Sequence, residues 1–231
     1  MIRSVTSVLL SAGHASSPRR LHLDEREGHP FGSTNTRPTS VTKGSTCPEF
    51  AIIIGSTRPG RRAETVAKWV YGHARSRTDA AFELVDIADY HLPHLDEATP
   101  PSLGQYSQTH TRRWAKTIAS FDGFIFVTPE YNHSTSGALK NAIDFLYSEW
   151  NNKAAGFVGY GGVGGARAVE HLRLIVGELQ VADVRAQVSL SLFTDFINFT
   201  DFTPGEHQVA GLTALFDQVI SWSNALTAVR Q

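Results

Sequence analysis

From residue 50 onward, short apolar segments of strand length alternate with longer segments whose apolar residues recur at helical spacing. Residues 50–54 are apolar throughout and precede a glycine, as expected of a strand buried on both faces. Further strands are predicted at 82–86, 123–127, 153–160 and 184–192, and helices at 63–74, 114–118, 138–147, 166–179 and 209–220. This alternation predicts an α/β fold with a parallel sheet, because parallel strands need crossover connections that place helices on the sheet faces.

The predicted sheet has five strands in the order 2-1-3-4-5 with helices on both faces, which is the flavodoxin-like arrangement. Such sheets bind ligands beyond the carboxyl ends of their strands, where the strand order reverses. The polar and glycine-rich loops at 55–62, 128–135 and 159–165 follow strands one, three and four, which are neighbours in this order. The three loops are therefore predicted to form one ligand site.

The first 48 residues differ in composition from the rest of the chain. They are rich in Ser, Thr, Gly and Pro and lack sustained apolar periodicity, so we predict a disordered N-terminal extension at 1–48 before one domain at 49–231. The first 23 residues contain no acid but include Arg3, Arg19 and Arg20, which is a feature of organelle transit peptides. A dispensable tail, or a start codon assigned too far upstream, is the favoured interpretation.

Charge and cysteine content exclude several classes of protein. The chain has 21 Lys and Arg against 22 Asp and Glu, which argues against a strongly basic nucleic-acid binder. No apolar run approaches the ~20 residues that span a bilayer, and the lone Cys47 excludes an intramolecular disulfide and a cysteine-built zinc site. His91 and His94 are interpreted as a surface loop and not a metal pair. We therefore expect a cytoplasmic protein without metal, membrane or nucleic-acid partners.

The first loop carries the residue types that bind phosphate. It lies between strand one and helix one, where free backbone N–H groups and the helix dipole favour an anion. Ser56 and Thr57 add hydroxyl donors, and Arg58 and Arg61 add positive charge with forked hydrogen bonding. The GxxxxGK[ST] pattern of nucleotide hydrolases is absent. A plain turn with solvated arginines is the alternative.

The other two loops offer backbone groups and aromatic rings to a planar ligand. In the second loop, Pro129 fixes φ so that the chain leaves the sheet abruptly, and Tyr131 supplies an aromatic wall. In the alternative interpretation, Glu130 and Asn132 only satisfy a sharp turn. The third loop contains GxGxxG at Gly159, Gly161 and Gly164. A dinucleotide site needs this motif after the first strand and an acid at the end of the next strand, and neither condition is met.

Together the three loops resemble the NADPH-dependent FMN reductase family, flavodoxin-like proteins that include quinone, azo-dye and chromate reductases. The resemblance covers 50 to about 180 and rests on three segments in family order, at 54–61, at 128–134 with 137–145, and at 159–165. It departs from the family at Arg61 and Ala63, where many members have Ser and Asn.

The resemblance implies a cofactor site at matching positions. Ser56 and Arg58 match residues that hold the FMN phosphate, and Thr57 and Arg61 lie in the same loop. The segment formed by Pro129, Glu130, Tyr131 and Asn132 matches the one along the ribityl chain and the isoalloxazine ring. The segment formed by Tyr160, Gly161 and Gly162 matches the loop at the pyrimidine edge of the ring.

The resemblance also implies an activity: an NAD(P)H-dependent oxidoreductase that passes hydride from NADPH or NADH through FMN to a small-molecule electron acceptor. The chemistry takes place at flavin N5 and needs no catalytic side chain. A homodimer or homotetramer is expected. Two alternatives are a flavodoxin-like electron carrier and a non-catalytic FMN-binding sensor.

Overall fold

The computed structural model describes residues 47–230, so the predicted N-terminal extension lies almost wholly outside the described residues. The main sheet has five parallel strands in the order β2-β1-β3-β4-β5, which confirms the predicted fold and topology. The strands are β1 Glu49–Ile54, β2 Ala81–Asp86, β3 Gly123–Pro129, β4 Ala154–Gly161 and β5 Ala182–Ser191.

Five helices cover the two faces of this sheet. They are α1 Ala63–Ala74, α2 Thr109–Ala119, α3 Gly137–Asp144, α4 Ala166–Glu178 and α5 Glu206–Leu226. Short 3₁₀ segments lie at Ile87–Tyr90, Pro101–Leu103 and Thr227–Val229. One face packs on α1 and α5, and the other packs on α2, α3 and α4. Alternate residues of the central strands face opposite layers, so Ile52 contacts the first layer and Ile53 the second.

Helix α3 ends at Asp144 and not at residue 147, where the apolar periodicity placed its end. Its last carbonyls are used by two buried tryptophans. The indole N–H of Trp114 donates to Ala142 O at 2.7 Å, and that of Trp150 donates to Ile143 O at 3.2 Å. These carbonyls therefore have partners without a further helical turn.

A two-stranded antiparallel hairpin follows the sheet and was not predicted from the sequence. It pairs β6 Phe196–Ile197 with β7 Asp201–Phe202. Each strand has only two residues, which is too short for apolar alternation to be recognised. None of the helices within 47–230 is long and apolar enough to cross a bilayer.

Lys153 is a buried cation at the start of β4. It is 7% exposed, and its ammonium donates to Ile118 O at 2.9 Å, at the C-terminal end of α2. Burial lowers the pKa of Lys153 to about 8, against a raising contribution from Asp122. Between that value and the ordinary lysine pKa the unfolded chain holds a proton that the folded chain has lost. The free energy of unfolding therefore rises with pH in this range.

We predict that Lys153→Met removes this rise. Between pH 7.5 and 9.5 the wild type should gain about 1–2 kcal/mol relative to the variant, as follows from the difference between the two lysine pKa values. Urea unfolding of both proteins across this range measures the effect, and Lys116→Met, an exposed lysine of α2, is the control. Parallel pH profiles for the wild type and Lys153→Met would contradict the assignment.

Candidate functional site

The first loop starts where β1 and β3 meet, and it is fastened to the second loop. Gly55 N–H donates to Val127 O at 2.8 Å. The hydroxyl of Ser136, which caps the N-terminus of α3, donates to Gly55 O at 2.6 Å. The buried Ser56 hydroxyl lies 3.2 Å from the hydroxyl of Tyr131. These contacts bring the predicted phosphate loop beside the predicted ring-binding segment.

Two of the three arginines of the first loop, Arg58 and Arg61, have different environments. The Arg61 guanidinium forms a two-pronged ion pair with Asp86 at the end of β2 and donates to Ser56 O at 2.7 Å. The exposed Arg58 side chain makes no hydrogen bond or ion pair with any residue in 47–230. A guanidinium without a carboxylate partner beside a helix N-terminus suits an anion. Arg58 is thus the candidate phosphate ligand, and Arg61 holds the loop in place.

The second loop makes a tight turn over residues 131–134. Tyr131 N–H donates to Ser134 O at 2.8 Å, and Ser134 N–H donates to Tyr131 O at 3.1 Å. Asn132 and His133 lie at the corner of this turn with φ of 47° and 73°. Asparagine adopts this left-handed conformation more readily than most residues. The conformation of the turn therefore accounts for an asparagine at position 132, and the Asn132 side chain is exposed.

Glu130 joins the second loop to the start of α4. Its carboxylate is only 4% exposed and accepts from Arg167 Nε at 2.6 Å and from Arg167 N at 3.2 Å. The carboxylate therefore lies at the N-terminus of α4, where the helix dipole favours negative charge. Sequence analysis missed Arg167, because 37 residues separate it from Glu130 and no local pattern relates them.

Much of the glycine-rich segment serves packing within the chain. Residues 159–161 form the end of β4 and not a loop, which corrects the predicted loop at 159–165. Gly165 has φ of 73°, and an added Cβ would lie 2.5 Å from Tyr160 N. An added Cβ at Gly161 would lie 3.0 Å from the Cβ of Glu130. Only glycine fits at Gly165, and a side chain at Gly161 would have to displace Glu130, whether or not a ligand is bound.

Gly162 is the glycine of this segment that remains open to a ligand. It is exposed, and the nearest atom to an added Cβ would be Phe193 Cε2 at 3.8 Å. Its backbone therefore faces open space beside the end of β4. Gly162 is a better position than Gly161 for testing ligand binding, since substitution there need not disturb the contact with Glu130.

The Tyr160 side chain points away from the glycine-rich turn and into the layer that packs on α1 and α5. Its buried hydroxyl has no hydrogen-bond partner among residues 47–230. Burial raises the pKa of Tyr160, as does Tyr131, while the Ala63 N–H at the start of α1 and the charge of Arg58 lower it. The hydroxyl therefore lies near the N-terminus of α1. A ligand oxygen at this helix end would satisfy both the Tyr160 hydroxyl and the Ala63 N–H.

A cleft of about 170 Å³ opens among these elements. The predicted residues that line it are Arg58, Arg61, Pro129, Glu130, Tyr131, Tyr160 and Gly161. Leu192 and Phe199 also line it and were missed, although the aromatic-rich run at 193–202 was a possible signal. Of the remaining predicted residues, Thr57 lines a neighbouring cavity of about 460 Å³ beside Ile87 and Ala138. Ser56, Asn132 and Gly162 adjoin the cleft without lining it.

The fold and this cleft define a class of protein. It is a flavodoxin-like α/β protein in which the carboxyl ends of the strands form a site suited to a phosphate-bearing ligand with a flat ring. The sequence profile of the NADPH-dependent FMN reductases matches residues 48–195. The chain belongs to this family.

Individual relatives agree with the profile. The chain is 40% identical over 152 residues to a protein named NAD(P)H-dependent FMN reductase from Schizosaccharomyces pombe, covering 65% of this chain and 76% of that one. It is 38% identical over 169 residues to one of the same name from a Nectria species, covering 68% and 84%. Its fold is similar to that of a flavoenzyme NAD(P)H:(acceptor) oxidoreductase from Paracoccus denitrificans, with a TM-score of 0.61, 22% identity and coverage of 77% and 98%.

We predict that Arg58→Ala weakens FMN binding by about 1.5–3 kcal/mol, the range for a hydrogen bond to a charged group. Riboflavin lacks the phosphate, so its affinity should change little. Fluorescence titration of the apoprotein with each flavin measures both effects. Arg75→Ala, an exposed arginine at the far end of α1, is the control. An equal loss for FMN and riboflavin would argue against Arg58 as the phosphate ligand.

We further predict that Gly162→Val weakens FMN binding by about 0.5–1.5 kcal/mol, as expected for one lost neutral hydrogen bond to the flavin. Circular dichroism should show an unchanged fold, since the added side chain meets open space. Gly177→Val, at an exposed glycine of α4, is the control. Full FMN occupancy with a raised KM for NADPH would instead support the dinucleotide interpretation of this turn.

Proposed function

We propose that this chain passes hydride from NAD(P)H through bound FMN to a small acceptor such as a quinone, an azo compound, a metal oxyanion or free flavin. Membership of the NADPH-dependent FMN reductase family carries the oxidoreductase activity and the use of FMN and NAD(P)H. The same membership favours an enzyme over a flavodoxin-like electron carrier or a non-catalytic sensor. The acceptor classes are those that the resemblance to this family implies.

The observation that carries the proposal is the Arg58 guanidinium near the N-terminus of α1, which has no ion pair within residues 47–230 and lies in the same cleft as the ends of β3 and β4. FMN has a dianionic phosphate at one end and a planar ring at the other, and both ends fit this arrangement. Ser56, Arg58 and the first turn of α1 would hold the phosphate, with the Tyr160 hydroxyl beneath it. Thr57 would contribute a hydroxyl from the same loop.

The ring would lie along the second loop and the end of β4. Pro129, Tyr131 and Asn132 supply the wall along the ribityl chain and ring, and Glu130 keeps that loop against α4 through its pairing with Arg167. The backbone of Gly161 and Gly162 would face the pyrimidine edge. N–H donors there would stabilise negative charge on the ring. Bound FMN supplies the hydride-accepting centre, so the chain contributes binding and orientation.

The oligomeric state and the cellular location are proposed from the sequence. We propose a homodimer or homotetramer in the cytoplasm. A single cysteine suits a reducing compartment. Residues 49–231 hold 15 Lys and Arg against 19 Asp and Glu, a mildly acidic balance that gives no support to a nucleic-acid partner.

The test is NAD(P)H oxidation by the purified protein loaded with FMN, with a naphthoquinone as acceptor. With oxygen excluded, we expect repeated turnover of NADPH or NADH only when protein, FMN and acceptor are all present. Apoprotein without added FMN is the control. Stable FMN binding without oxidation of either nucleotide would overturn the proposed enzyme and support the electron carrier or the sensor.

A further inference from the structure

The hairpin of β6 and β7 lies beyond residue 195, where the match to the family profile ends. Its inward aromatic rings pack on the main domain. The Phe196 ring lies 6.4 Å from that of Tyr160, and the Phe202 ring lies 5.6 Å from that of Trp69. These contacts fix the hairpin against the layer that also contains α1.

A buried carboxylate holds the base of the hairpin. Asp195 is 2% exposed and accepts from Ser191 N at 2.9 Å, from Thr194 Oγ1 at 3.0 Å and from Gln208 Nε2 on α5 at 3.3 Å. Thr203 N–H donates to Asp195 O at 2.8 Å, from the far side of the hairpin. The two ends of the hairpin are thus tied to β5 and α5, so its tip has a defined position.

Two aromatic rings beside this tip are exposed. Phe193 and Phe199 are 70% and 56% exposed, and their rings meet edge to face with centroids 5.5 Å apart. Phe199 has φ of 58° and follows Asn198 at 51°. A bulky residue in this left-handed conformation is strained, and strain of this kind concentrates at functional sites. The hairpin therefore holds a strained ring in a position where more than half of it stays exposed.

This aromatic pair, Phe193 and Phe199, is continuous with the proposed FMN site. Phe199 lines the cleft together with Arg58, Tyr131 and Gly161. Phe193 is the nearest residue to the open side of Gly162. An uncharged flat ring placed against the side of the cleft that Phe199 lines would therefore contact phenyl rings.

We propose that the aromatic pair binds the ring of a quinone-class acceptor and favours it over small hydrophilic anions. This inference rests on the proposed function. A quinone ring gains from apolar burial and edge-to-face contact with the pair, whereas a hydrated anion gains nothing from phenyl rings. The overall reaction is NAD(P)H, a proton and quinone giving NAD(P)⁺ and hydroquinone. One nicotinamide C–H bond breaks, two electrons pass to the quinone, and two O–H bonds form.

The test compares two acceptors on the FMN-loaded enzyme at saturating NADPH. One is 2-methyl-1,4-naphthoquinone, and the other is ferricyanide, a hydrophilic anion of which two equivalents take the two electrons. The variants are Phe199→Ser, Phe193→Ser and their combination. The control is Ile197→Ser, which removes an exposed apolar side chain from the same hairpin, outside the cleft lining.

We expect the ratio of kcat/KM for naphthoquinone to that for ferricyanide to fall about tenfold in the double variant, as lost ring burial and contact would predict. The control should keep the wild-type ratio. Phe199→Leu, which retains apolar volume without a ring, should give an intermediate ratio. If circular dichroism shows that a serine variant does not fold, Phe199→Leu replaces it in the comparison.

An unchanged ratio in folded Phe193 and Phe199 variants would overturn the inference. Loss of bound FMN would assign the pair to the cofactor instead, and a raised KM for NADPH would assign it to the hydride donor. A smaller mass in solution for the double variant would assign it to contact with a second copy of the chain. A wild type that reduces neither acceptor would refute the proposed function itself, a result distinct from failure of the pair alone.

Discussion

The pairing of β1 with β3 at Gly55 is the constraint on which the site depends. The Gly55 N–H donates to Val127 O, and an added Cβ would lie 2.6 Å from that same oxygen. No larger residue fits at position 55. The phosphate loop, which begins there, is therefore in contact with the loop that follows β3. The Ser136 hydroxyl then joins Gly55 O to the N-terminus of α3. One close backbone contact thus sets the distance between the two ends of the proposed cofactor site.

The charged residues of the site fall into two groups, those paired within the protein and those available to a ligand, and the loop sequences alone do not distinguish them. Arg61 is neutralised by Asp86, and Glu130 is neutralised by Arg167, so these four residues hold the loops together. Arg58 and Arg62 line the cleft without an ion pair to any residue in 47–230. Since paired charges contribute little net field to a ligand, an incoming phosphate would interact chiefly with these two arginines and the N-terminus of α1.

The local sequence pattern was sufficient to predict most helices and strands. It failed where contacts between distant residues determine the structure. The buried strands and amphipathic helices were recognised because their apolar periodicity lies within each segment. The end of α3 was misplaced because indole N–H groups from distant residues Trp114 and Trp150 cap its carbonyls. Arg167 was missed because a partner 37 residues away leaves no trace in local sequence. The hairpin was missed because two-residue strands show no alternation.

The sequence by itself determined the alternation of strands and helices, the three loops and the resemblance to a flavin reductase, since each is encoded in short contiguous segments. The strand order followed from the flavodoxin-like arrangement to which this alternation pointed. The tertiary structure decided which of these residues remain available to a ligand. Arg58, Gly162 and the aromatic pair are open, whereas Arg61 and Gly161 are occupied by contacts within the chain. Whether a residue is available to a ligand depends on the partners that folding brings next to it, so no local sequence pattern predicts it.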